Sequence, residues 1–299
     1  MTPTVRIRTL FNLPQRVASL QHSTRFSRVN WTSTSSYQLK KQFAKMASQN
    51  ARPILVVAGV GNGSGTGAST ARVFAKEGYR VALIARNADH LKKTADEINA
   101  AGGVAAPFPV ATYDAASLTS AFNSIKGQWP DSRLRVAVWN AGYGIWKPFL
   151  QITDEEVAEA LNTNVRAAFA FSRLAITAFK ENDLNDVGKR GALIFTGATA
   201  AWRGNTTTSA FAAGKFGLRA LSQSLNKEFG KDNIHVSHSI IDGVILTDRV
   251  RSYRNDKDWE NEDIRLNPDS IAKSYLYLVN QDRTAWTWEL DLRPAHEKW

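Results

Sequence analysis

The chain has 299 residues, 43% of them hydrophobic and 22% charged, with 19 glycines, 9 prolines and no cysteine. These proportions exclude a collagen-like, coiled-coil or wholly disordered protein, and the missing thiols exclude disulfides, thiolate metal sites and cysteine nucleophiles. The net charge of +11 is uneven: residues 1–50 hold eight Lys or Arg and no acid, while the remainder is nearly neutral and the first acid is Glu77.

That asymmetry decides what the basicity means. A nucleic-acid surface would spread positive charge over the folded body, so no nucleic-acid partner is expected. Residues 1–50 are instead rich in Arg, Ser and Thr. Ile7, Leu10, Phe11, Val17 and Leu20 recur near helical spacing, with Arg6, Arg8 and Arg16 among them. An amphipathic, Arg-rich, acid-free leader is the composition of a mitochondrial transit peptide. Delivery to the matrix is the expectation, with a disordered basic tail as the alternative. Pro14 would kink a helix there. Met46 stands just before the first strand and would allow a cytoplasmic form. No apolar stretch nears the ~20 residues that span a bilayer.

From Pro53 onward, β-branched runs alternate with helical patterns. Ile54–Val60 reads as a strand and Thr66–Glu77 as a helix stopped by Gly78. Arg80–Ala85 is a second strand. Asn87 is placed to cap the following helix, which runs to about Ala100 and stops at Gly102-Gly103. Val104–Val110 and Leu134–Trp139 are further strands, as are Gly191–Gly197, Ile234–Ile241 and a last one at Ala285–Leu290. Helices are predicted at about 115–127, 153–181, 207–230 and 268–280. Asp154, Glu155 and Glu156 suit the positive start of the second of these. Such alternation implies βαβ crossovers. Residues 51–299 are therefore expected to form one α/β domain, a Rossmann-like doubly wound parallel sheet of about seven strands with helices on both faces.

Gly59-Val60-Gly61-Asn62-Gly63-Ser64-Gly65-Thr66-Gly67 joins the first strand to the first helix. Glycines let backbone approach a phosphate, and a helix start offers free N–H groups and positive dipole to a pyrophosphate. The strand–loop–helix setting gives the pattern its meaning. No Gly-Lys-Ser/Thr ending follows, so a nucleotide-hydrolysing loop is not indicated. The second strand ends Ile84-Ala85-Arg86-Asn87, without the acid that holds a ribose 2′-hydroxyl. The Arg86 guanidinium suits a 2′-phosphate, which favours NADP(H) over NAD(H). His235 and His238, three apart on a strand, face opposite sides and make a poor metal pair.

Over residues 53–299 these motifs resemble the short-chain dehydrogenase/reductase family. Gly61-x-x-x-Gly65-x-Gly67 is similar to its cofactor loop, implying cofactor contacts from Gly61, Asn62, Ser64, Gly65, Thr66 and Gly67. Asn140-Ala141-Gly142 resembles the motif that ends the fourth strand. Leu161–Val165 resembles the helix segment whose asparagine, here Asn164, orders a water near the catalytic lysine. Asp242-Gly243-Val244-Ile245-Leu246-Thr247 is similar to the Pro-Gly-x-x-x-Thr stretch, whose Thr faces the nicotinamide amide. The resemblance also implies a homodimer or homotetramer.

The family's Tyr-x-x-x-Lys is matched by Phe211-Ala212-Ala213-Gly214-Lys215, and the Ser 13 residues before that Tyr by Ala198. The adenine-contacting Asp is matched by Ala111, with Asp114 three residues on. A subgroup generally labelled oxidoreductase resembles this chain in its Phe-x-x-x-Lys and in a tail like Asp291-Leu292-Arg293-Pro294.

Hydride addition to a carbonyl leaves an alkoxide that needs a proton, and a missing general acid costs ~10²–10⁴ in rate. A missing Ser hydroxyl removes a polarising donor as well. Thr199, Tyr143, Ser209 and Lys215 are the candidate surrogates. Thr199 serves only if its strand has already ended, since alternate residues face opposite sides. Two readings stay open. One is an NADP(H)-dependent oxidoreductase with a non-standard proton donor, acting on a small carbonyl or alcohol. The other is an NADP(H)-binding pseudoenzyme acting as sensor or partner module.

Overall fold

The computed structural model describes residues 52–252, 259 and 261–297; the proposed leader lies outside them. Seven strands form a single sheet: β1 (Ile54–Ala58), β2 (Arg80–Ala85), β3 (Val104–Pro109), β4 (Leu134–Trp139), β5 (Gly191–Thr196), β6 (Ile234–Ile241) and β7 (Glu289–Leu292). Their order is β3-β2-β1-β4-β5-β6-β7, and every pairing is parallel.

A parallel sheet needs cover on both faces, because each crossover lays a helix on one of them. Among the described residues six helices of ten residues or more supply most of it, three on each face. On one face α1 (Thr66–Lys76), α2 (Ala88–Ala100) and the late helix Pro268–Asn280 bury Phe74, Leu91, Ile98 and Ile271 against Leu55, Val57 and Val138. On the other face α3 (Ala115–Gln128) and two later helices bury Leu118, Phe171 and Leu218 against Val56, Ala58 and Trp139. All five β1 residues are buried, as expected of a strand between two helical layers. The predicted Rossmann-like sheet of seven strands, with helices on both faces, is therefore the observed one.

Two expectations are corrected. The helix predicted over 153–181 is three pieces: α4 (Asp154–Leu161), a π-helical turn (Asn162–Arg166) and α5 (Ala167–Lys180). The last strand is β7 at Glu289–Leu292, not Ala285–Leu290; Trp286 stacks on His235 and Trp288 passes its carbonyl to His238 N–H before the ladder proper begins. Elsewhere the reading holds. Asn87 caps α2 by accepting from His90 N–H at 2.9 Å, and Thr153 with Glu156 makes a capping box on α4. The remaining helices are α6 (Ser209–Phe229), α7 (Asp248–Arg251) and α8 (Pro268–Asn280).

The sheet order reverses between β1 and β4. Their carboxyl ends open a crevice, the place where such folds take ligands. β4, β5 and β6 deliver Asn140–Gly142, Gly197–Thr199 and Asp242–Thr247 to the same edge.

Candidate active site

The phosphate loop begins with a close approach of two backbones. Gly59 has φ +93°, and a Cβ there would lie 2.3 Å from the Ala141 nitrogen. A Cβ on Gly67 would lie 2.3 Å from the Gly59 carbonyl oxygen. Asn140 Nδ2 donates to that same oxygen at 2.6 Å. The Gly59 turn, the start of α1 and the end of β4 thus form one rigid corner. Arg72 braces it from α1, donating to Gly63 O at 2.7 Å.

Asn62 Oδ1 accepts from Ser64 Oγ at 2.8 Å, and Ser64 Oγ accepts from Asp248 N–H at 3.0 Å. The segment after β6 is thereby stitched to the loop. Thr247 sits beside it, its methyl 3.6 Å from where a Gly65 Cβ would be. Its hydroxyl also accepts from Val250 N–H and caps α7.

The first N–H groups of α1 receive no side-chain cap, and the hydroxyl of Thr66 is buried without a partner. Gly61 faces open space. Unsatisfied donors at a helix start, beside room for a ligand, fit a pyrophosphate. Arg86, beyond the end of β2, is largely exposed and lies 5.8 Å over the Tyr113 ring, with Glu159 Oε1 at 3.8 Å. Asp114 caps α3 through Ser117 N–H at 2.7 Å, a structural role.

Lys215 projects from α6 to the carboxyl end of β5. Its Nζ donates to Thr196 O at 2.9 Å, and burial pushes its pKa down to about 8. Asn164 occupies the π-helical turn, an interruption often found at functional sites. Its Nδ2 donates to Tyr143 O at 2.8 Å and Ala160 O at 2.9 Å. A Cβ on Gly142 would meet Asn164 Oδ1 at 3.2 Å and Lys215 Nζ at 3.4 Å. Lys215, Asn164 and Gly142 therefore converge on one point, as the motifs anticipated.

The Phe211 ring lies one helical turn before Lys215, with Nζ 5.9 Å from its centroid. Its other neighbour is Trp146, centroids 5.2 Å apart. Tyr143 packs with Ile145, Ala160 and Ala210.

Thr199 is another matter. β5 has ended at Thr196, so the alternation of strand faces does not apply. Ala198 instead starts a 3₁₀ turn over Thr199–Ala201. The Thr199 hydroxyl donates to Asp242 Oδ1, and that bond commits its proton. Thr199 is thus off the regular strand, with its hydroxyl on Asp242.

Asp242 itself went unnoticed as a hub. It is 1% exposed, with Arg293 Nη1 2.9 Å and Arg203 Nη2 3.6 Å from its Oδ2. The Trp202 ring lies under both guanidinium groups, at 5.2 Å from Arg203 and 5.7 Å from Arg293. Gly243 adjoins the tail, since a Cβ there would fall 2.8 Å from Pro294 Cδ. The sequence held one signal: an acid in a position where the family pattern has proline.

His235 and His238 take separate roles, as their spacing implied. His235 meets Lys189 Nζ at 3.1 Å; His238 meets Glu289 at 3.1 Å. Burial lowers both to about 4, so both are neutral near pH 7. Among the described residues no cluster of His, Asp and Glu could hold a metal ion, and no helix is long and apolar enough to cross a membrane.

The short chain dehydrogenase family model matches residues 54–258. The chain belongs to that family. A 3-oxoacyl-[acyl-carrier-protein] reductase of Rattus norvegicus is 26% identical over 201 residues, 67% of this chain and 80% of the relative. A short-chain dehydrogenase of Rhodopseudomonas palustris is 30% identical in a superposition with TM-score 0.66, covering 81% of this chain and 98% of the other. A metagenomic short-chain oxidoreductase in complex with NADP is 24% identical, with TM-score 0.65 over 82% of this chain and 98% of the other. The fold is shared with these proteins, and the family is one of oxidoreductases.

Proposed function

We propose that the protein is an NADP(H)-dependent oxidoreductase acting on a small carbonyl or alcohol, with Lys215 as its non-standard proton donor. The observation that carries this reading is the buried ammonium at Thr196 O, beside Asn164 and beneath Phe211. Bound NADP(H) supplies or accepts the hydride. Gly61, Asn62, Ser64, Gly65, Thr66 and Gly67 would hold its pyrophosphate, Asn140, Ala141 and Gly142 would line its path along β4, and Gly243 and Thr247 would close over it. Lys215 would hold the ribose.

In reduction, the substrate oxygen gains a proton as its carbon gains the hydride. The Phe211 ring has none to give, and that of Thr199 is held by Asp242. Lys215 Nζ, with a pKa near the working pH, suits the task. Asn164 stands beside Lys215 at Gly142 and fixes the Tyr143 carbonyl. Tyr143 is the second candidate, because its hydroxyl has no hydrogen bond among the described residues. Arg86 favours the 2′-phosphate of NADP(H).

The experiment is a carbonyl and alcohol screen with NADPH and NADP⁺, with Arg86→Ala and Lys215→Ala as variants. The expected result is turnover abolished by Lys215→Ala, and tighter binding of NADPH than NADH that Arg86→Ala largely erases. One charge-assisted contact corresponds to ~1.5–3 kcal/mol. Turnover that survives Lys215→Ala would overturn the reading. The pseudoenzyme reading is favoured by Phe211 and Ala198 themselves; it predicts NADPH binding without turnover in every variant.

Self-association as a homodimer or homotetramer fits this proposal. Val157, Leu161, Phe169 and Phe216 expose apolar side chains on α4, α5 and α6. Sedimentation at several concentrations would test it.

A further inference from the structure

Around Phe211 the Lys215 crevice carries apolar side chains at two places where hydrogen-bonding groups are expected. Phe211 and Ala198 stand where a phenol and a hydroxyl are expected, and Ile145 and Ala210 are buried beside them with Tyr143 packed against them. Trp146 leans on Phe211 at a tilt of 46°, yet it is 60% exposed. Much of its surface is therefore open, where a core tryptophan would be enclosed. Phe149 and Leu150, 75% and 94% exposed, extend the apolar rim.

The loop that carries these residues is held in place. Lys147 N–H donates to Thr207 O at 3.0 Å, and Lys147 Nζ pairs with Glu156. Thr207 has φ +63°, a left-handed conformation that a β-branched residue seldom adopts. Strain of this kind persists where surrounding structure imposes it, and it collects at ligand clamps. Gly144 lets the indole fold back, since a Cβ there would come within 2.6 Å of the ring. Trp146 is thus presented in advance rather than left on a free loop.

We propose that the substrate carries a planar apolar group, an aryl ring or its equivalent adjoining the reactive carbon, which stacks on Trp146 against Phe211. A polyhydroxylated substrate would leave its hydroxyls unpaired along this wall, a strong ground for rejection. A ring would instead extend the Trp146–Phe211 aromatic pair. This rests on the Lys215 crevice being the reaction site.

The test is calorimetric titration of the full chain, with and without NADP⁺, using acetophenone and dihydroxyacetone as probes. With the oxidised cofactor neither ketone group can be reduced, and NADPH absorbance checks that the hydroxyls of dihydroxyacetone are not oxidised. Acetophenone should bind at least about 10-fold more tightly than dihydroxyacetone. Trp146→Ala should remove that preference, Trp146→Phe should keep most of it, and NADP⁺ affinity should be the same in all three proteins. Equal binding of the two ketones, or acetophenone binding unaltered by Trp146→Ala, would overturn the inference. Failure of NADP⁺ itself to bind would count against the cofactor reading, while the comparison of the two ketones without cofactor still decides the ring preference.

Discussion

Thr199 donates its hydroxyl hydrogen to Asp242, an almost fully buried carboxylate that also faces Arg203 and Arg293. A residue in the active-site turn and a residue near the C-terminal strand thus share one acid. Removing one member of a buried ion pair typically costs ~3–5 kcal/mol, whereas losing one hydrogen bond to a charged group costs ~1.5–3 kcal/mol. Asp242→Asn is expected to lower the melting temperature more than Thr199→Val. Thermal unfolding of the two variants checks the order. Parent-like melting of Asp242→Asn would show that the tail is held by other contacts.

The depressed pKa of Lys215 fixes the sign of a pH dependence. The ammonium is the proton donor in reduction and the amine is the acceptor in oxidation. Reduction should hold below about pH 8 and decline above it, and oxidation should do the reverse. Profiles of kcat in both directions from about pH 6 to about pH 10 report this. Parallel profiles in the two directions would exclude Lys215 as the group transferring the proton.

Phe211→Tyr restores a phenol one turn from Lys215 with little change in volume. Turnover of generic carbonyl compounds should rise by up to ~10²-fold, and Ala198→Ser should add to the gain. On the natural substrate the same change should leave activity level or reduce it, because the hydroxyl enters an apolar wall. Initial rates with a generic ketone give the answer; no gain in the double variant would mean the crevice is not shaped for that chemistry.

The leader makes a separate prediction, drawn from its charge alone. A fluorescent reporter behind residues 1–50 should enter mitochondria, and a reporter on a chain starting at Met46 should remain in the cytosol. Diffuse signal from the first fusion would leave the segment as a basic tail.

Much of the fold was legible because a parallel sheet writes itself in continuous β-branched runs. Ile54–Ala58 is such a run, buried throughout. The cofactor corner was legible too, since Gly59 and Gly67 are required wherever two backbones approach so closely. The break in the 153–181 helix was not. A π-helical turn costs one extra residue in the apolar period, too little to detect in Leu161–Arg166. The bonding of Thr199 is hidden for a similar reason: it depends on where β5 stops and on an acid 43 residues away. Trp146 gave no local signal, because its importance lies in the ring it touches.

The involvement of Arg293 and Pro294 has a consequence for the order of assembly. During synthesis the phosphate loop leaves the ribosome early and can close against Ala141 once β4 has followed. Arg293 and Pro294, which meet Asp242 and Gly243, emerge later, after β7. Until then the acid under Thr199 has Arg203 but not Arg293 to answer it, and Gly243 lacks its packing against Pro294. A nascent or C-terminally shortened chain should therefore gain a cofactor corner before it gains a finished reaction chamber.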